Sequence, residues 1–95
     1  MDVVSLPTLD DLCRFVHERL CQHDQLDLQQ SPLSRSVLTR AGRPCGLYFV
    51  VQGPRRVASY AVWAGEENRI LFYDSQGQRF AQVRLSDAPD PRRLA

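Results

Sequence analysis

Ninety-five residues, 43% hydrophobic and 24% charged, are enough for one folded domain and exclude an intrinsically disordered chain. A net charge of +1 gives no strong overall pull towards nucleic acid, and no window nears the ~20 apolar residues of a membrane span. The opening MDVVSLPTLDDL is acidic at its second residue and lacks a basic n-region, so it does not read as a secretory signal. Three cysteines at irregular spacing argue against a disulfide framework and point to a reducing, cytoplasmic setting.

The charge is unevenly spread. Residues 1–32 carry six carboxylates against two arginines, whereas residues 33–85 carry eight arginines against three carboxylates. This predicts an acidic helical part beside a basic strand part.

In chain order, LPTLDDLCRFVHERLCQHD predicts an amphipathic helix over about 8–23. Thr8 is its N-cap and Asp10 and Asp11 favour the positive end of the dipole. Leu9, Leu12, Cys13, Val16 and Leu20 form its apolar stripe. The following QLDLQQSPLS has neither helical nor strand period and reads as a linker. Strands are then expected near 35–40, 46–52, 57–64, 69–74 and 79–85, separated by turns at GPRR, GEEN and SQGQ. Residues 1–85 form a single α+β domain, with 86–95, SDAPDPRRLA, as a flexible C-terminal tail. The expected architecture is one N-terminal amphipathic helix packed on one face of a four- to five-stranded antiparallel meander sheet.

Side chains alternate along a strand, so loops of even length carry faces across hairpins. With GPRR as a four-residue loop, Tyr48, Val50, Val57, Ser59, Ala61, Trp63, Ile70, Phe72, Ala81, Val83 and Leu85 share the face assigned to the helix. Leu47, Phe49, Val51, Ala58, Tyr60, Val62, Leu71, Tyr73 and Phe80 share the other, with Gln82 and Arg84 at its margin. One helix cannot cover both faces, which makes the second a candidate partner-binding surface. Asp74 and Arg79 are expected to pair across the last turn.

Other constellations carry less. Cys13, His17 and Cys21 recur at every fourth residue, but such a row drifts about 40° per step and lacks a close C-x-x-C pair, so no metal site is read there. Cys45 has no nameable base and reads as a core or rim thiol. No phosphate-cradling glycine motif and no nucleophile elbow occur. Arg55 and Arg56 fit a polar turn tip. The function expected is a non-enzymatic interaction module without cofactor, using the second sheet face for homodimerisation or partner docking. The alternative is single-stranded nucleic-acid or anionic-ligand binding, with the sheet aromatics stacking on bases and Arg40, Arg43, Arg55, Arg56 and Arg84 holding phosphate.

Overall fold

The helix forms where its signals lie. Thr8 Oγ1 accepts from the Asp11 N–H at 3.1 Å, and Asp10 and Asp11 occupy the first turn of α1 (Leu9–Asp24). At the other end Gln25 turns left-handed (φ 56°), and the Leu26 N–H returns to the Cys21 carbonyl at 2.8 Å. Leu12, Val16 and Leu20 are fully buried, as the apolar stripe predicts.

The computed structural model describes residues 2–93. Besides α1 it contains β1 (Asp2–Ser5), β2 (Leu33–Arg40), β3 (Arg43–Gln52), β4 (Ala58–Ala64), β5 (Arg69–Tyr73) and β6 (Arg79–Asp87), with a tight turn at Pro54–Arg56 and a 3₁₀ turn at Pro91–Arg93. β2 to β6 form the expected antiparallel meander. β1 adds a sixth strand parallel to β6, giving the order β1-β6-β5-β4-β3-β2 and a mixed sheet. The helix lies on one face, over a core that includes Phe49, Ala61, Trp63, Ile70, Phe72 and Val83.

Two further features of the fold differ from expectation for identifiable reasons. Residues 86–93 are largely built into the fold. β6 runs on to Asp87, whose carbonyl accepts from the Leu6 N–H at 2.9 Å. Pro91 Cγ lies 2.8 Å from where a Cβ on Gly65 would stand, so glycine there lets the C-terminal segment seat against the end of β4. Met1, at the start of the expected domain, and Leu94 and Ala95, at the end of the expected tail, lie outside the described residues.

The second difference is the register of β3. Gln52 pairs with Ala58, so the β3–β4 loop holds five residues, Gly53–Val57, and not four. An odd loop reverses the face of the preceding strand. Leu47, Phe49 and Val51 therefore point into the helix-side core at 0–1% exposure, while Tyr48 and Val50 face outward.

The core holds two polar atoms without a hydrogen-bond partner among the described residues, Ser59 Oγ and Trp63 Nε1. We expect Leu20→Ala to cost about 2–4 kcal/mol in urea unfolding, and Glu18→Ala on the exposed side under about 0.5 kcal/mol. Ser59→Ala should raise stability by about 1 kcal/mol, because it removes a buried hydroxyl that makes no bond. A loss of stability in that variant would show that the hydroxyl is paired.

Candidate docking face

With β3 reversed, the outer face is assembled from a different set of residues than parity along an even loop predicts. Across the ladders Val50 stands opposite Tyr60 and Tyr60 opposite Tyr73, while Tyr48 is opposite Val62 and Val62 opposite Leu71. Tyr60 and Tyr73 stand side by side on β4 and β5, and Tyr48 lies diagonal to Tyr60 on β3. Tyr60 and Tyr73 stack at 4.9 Å between centroids with 12° between planes, and Tyr48 lies 5.9 Å from Tyr60 at 42°. Val50, Val62 and Leu71 fill the spaces beside them. All six are half-buried, and among the described residues the helix and the C-terminal turn both pack on the opposite face.

Of the expected partner-binding residues, the structure brings Tyr60, Val62, Leu71 and Tyr73 together on this face. It removes Leu47, Phe49 and Val51 to the core by the register change. Phe80 also leaves. A bulge in β6 lets Tyr73 pair with Arg79 and Phe72 with Ala81, so Phe80 turns to the helix side, where it stacks on His23 at 3.6 Å and 4°. Tyr48 and Val50 are the residues the sequence reading missed, and the length of one loop was the only signal that could have placed them.

The margins are polar and unequal. On the β2 side the face ends in Ser34 and Ser36, opposite Val50 and Tyr48. On the β6 side Arg79 stands opposite Tyr73, Gln82 opposite Leu71 and Arg84 opposite Arg69. Arg69 is paired with Glu67 at 2.6 Å. Asp87, the one carboxylate that strand register puts on this side among the described residues, sits at the β1 corner and accepts from Ser5 Oγ at 2.8 Å.

The five candidate anion-binding arginines do not converge. Strand order puts Arg55 and Arg56 at one end of the sheet and Arg40, Arg43 and Arg84 towards the other. Arg40 is paired with Glu66 at 3.4 Å. Arg55 and Arg56 form the tip of a tight turn, closed by the Val57 N–H to the Pro54 carbonyl at 3.2 Å. Both are left-handed, with φ 61° and 62°. The Asp74–Arg79 pair is also absent among the described residues. Asp74 Oδ1 instead accepts from the Gln76 and Gln78 N–H groups at 2.9 and 3.0 Å, capping its own turn.

The cysteine–histidine row is dispersed into structural contacts. Cys13 Sγ accepts from Arg35 Nη1 at 3.1 Å, and His17 Nε2 donates to the Ser31 carbonyl at 2.7 Å, tying the linker to α1. Cys21 is buried in the core, where burial first and then the Asp24 and Asp27 carboxylates push its thiol above the ordinary range. Among the described residues no three histidine, cysteine or acidic side chains gather as metal ligands. A cleft of about 310 Å³ opens between the β2–β3 and β4–β5 turns, lined in part by Leu38, Cys45, Val62, Glu66 and Glu67, and no histidine reaches it. No described helix is long and apolar enough to cross a membrane.

Compared with known proteins, the chain matches no family model, no curated protein and no solved structure.

The Arg55–Arg56 turn makes a direct prediction. Left-handed backbone costs a non-glycine residue roughly 1–2 kcal/mol, and two-residue turns of this hand favour Asn-Gly. The double change Arg55→Asn, Arg56→Gly should stabilise the fold by about 1 kcal/mol in denaturant unfolding. Destabilisation would mean that the arginine side chains hold the loop by contacts of their own.

Proposed function

We propose that this protein is a non-enzymatic interaction module, acting in a reducing compartment such as the cytoplasm, whose outer sheet face docks another protein through the Tyr48–Tyr60–Tyr73 row. The observation that carries this reading is the makeup of that face: phenolic and aliphatic side chains at its centre, with no helix or loop packed over them among the described residues. Tyrosine and aliphatic anchors inside a polar rim are the usual composition of a protein interface. The three free cysteines accord with a reducing setting.

Charge narrows the partner. Among the described residues the unpaired charges of the margin are basic, Arg79 and Arg84, while Glu67 is bonded to Arg69 and Asp87 accepts from Ser5. The partner surface therefore carries apolar side chains with carboxylates beside them. A second copy laid face to face would bring the same two arginines, while six of this chain's carboxylates lie in residues 1–32.

Nucleic acid fits less well. Base stacking needs free ring faces, and Tyr60 is stacked on Tyr73 with the tilted ring of Tyr48 beside it. A phosphate track needs neighbouring cations, and the arginines are divided between the two ends of the sheet.

Selection of a random peptide library against the intact chain tests the reading. Enriched sequences should combine acidic and apolar residues, and their affinity should fall at least tenfold for Tyr60→Asp and measurably for Arg84→Glu. Enrichment without acidic bias, or binding indifferent to Tyr60→Asp, would sink the proposal. Tight binding of oligouridylate that collapses with salt would establish the nucleic-acid alternative in its place.

A further inference from the structure

The two edges of the sheet are finished differently. β1 is four residues long and breaks register at a bulge between Val4 and Ser5. β2 is eight residues long and pairs with β3 throughout; the register shifts only near its end, between Leu38 and Thr39, where the extra residue is Cys45 of β3. Among the described residues, none of the backbone hydrogen bonds made outside the ladders reaches residues 33–40. Ser34, Arg35, Ser36 and Val37 are exposed in succession, and Val37 keeps 40% of its surface on the helix side.

Protein edges are normally guarded by proline, by outward charge or by a covering element. β2 contains no proline. Its central charge, Arg35, is exposed but held on the helix side by its bond to Cys13 Sγ at 3.1 Å. The outward N–H and C=O groups of such a strand are matched by one kind of surface, another extended strand.

We propose that β2 pairs antiparallel with β2 of a second copy, about a two-fold axis that passes through the sheet at Val37. Residues opposite one another in an antiparallel pair share a face, so each symmetric register makes a definite set of neighbours. An axis at Arg35 would oppose two guanidiniums. An axis at Ser36 would set Val37 against Arg35. The axis at Val37 joins the two exposed valines and sets Arg35 opposite Thr39 and Ser34 opposite Arg40, with no like charges facing. Because this axis is normal to the sheet, both tyrosine rows lie on one side of a continuous double sheet and both helices on the other. The contact is independent of the outer-face reading and leaves that face open.

A contact confined to one edge strand is small, and the dimer is expected to form in roughly the high-micromolar range. Sedimentation equilibrium of the full chain from about 10 μM to about 1 mM should show the mass rising from monomer to dimer. Val37→Glu, which puts two carboxylates on the axis, should move the midpoint at least tenfold upward in concentration. Tyr60→Asp should leave it unchanged. A urea midpoint for Val37→Glu equal to the unmodified chain's shows that the fold is kept, and concentration-dependent amide protection over residues 34–40 in the unmodified chain reports the same contact without any variant. A monomer at about 1 mM, or a dimer indifferent to Val37→Glu, overturns the proposal. A dimer broken by Tyr60→Asp alone assigns the second copy to the outer face and overturns it equally, whereas failure of the peptide selection leaves it standing.

Discussion

Much of the molecule depends on the pairing of Gln52 with Ala58. That register brings Leu47, Phe49 and Val51 under the helix and Tyr48 and Val50 to the outer face, and a shift of one residue would exchange the two sets. The loop that enforces it is held from both sides. Within it the Gly53 N–H reaches the Val57 carbonyl at 2.7 Å, and the left-handed pair Arg55 and Arg56 reverses the chain. Behind it, a Cβ on Gly53 would come within 2.7 Å of Leu26 Cδ2, so the loop rests on the residue that follows the helix C-cap Gln25. Leu26 is in turn fixed by its N–H to the Cys21 carbonyl. The C-terminus of α1 and the register of the hairpin are thus parts of one packed unit, and a strained turn is tolerated because the surroundings determine it.

The same arrangement explains why only one face of the sheet is covered. α1 supplies a single apolar stripe, and the C-terminal segment reaches the end of β4 through Pro91 against Gly65, on the side that holds Trp63. Both are spent on the inner face. The outer face is partly closed by its own side chains: Tyr73 covers one side of Tyr60 and Tyr48 approaches the other. Tyrosine suits this role because its ring supplies apolar area while its hydroxyl stays solvated.

The sequence made the helix and the β4–β6 half of the meander legible for simple reasons. Leu12, Val16 and Leu20 fall on a 3.6-residue stripe, and β4, β5 and β6 alternate cleanly enough that Trp63, Ile70, Phe72 and Val83 were assignable to the core and Tyr60, Val62, Leu71 and Tyr73 to the opposite side. What stayed hidden required information that alternation does not carry. Pro54 suggests an ordinary turn with proline at its second position, whereas the chain reverses one residue later through two arginines in a conformation typical of Asn-Gly. Phe80 is displaced by a bulge that no residue type announces. β1 is four residues whose partners, Val83 to Asp87, lie at the opposite end of the chain. The C-terminal segment reads as loose because its anchor is a single proline meeting a glycine in another hairpin.

A docking face built on strands differs physically from one built on loops. The tyrosine row spans three hydrogen-bonded strands, and its rings are already held by one another, so a partner orders few side chains when it binds. The edge strand is likewise extended and in register along β3 before anything joins it. In both places the cost of association falls mainly on lost translation and on desolvation of the rim. Affinity then depends on how well the partner matches the positions of a few fixed groups. On the face these are Tyr60 and its neighbours with Arg79 and Arg84; on the edge they are Val37 and the backbone on either side of it. Because the groups are fixed by the hairpin register, a substitution that slips β3 would remove the face without touching any residue in contact with a partner.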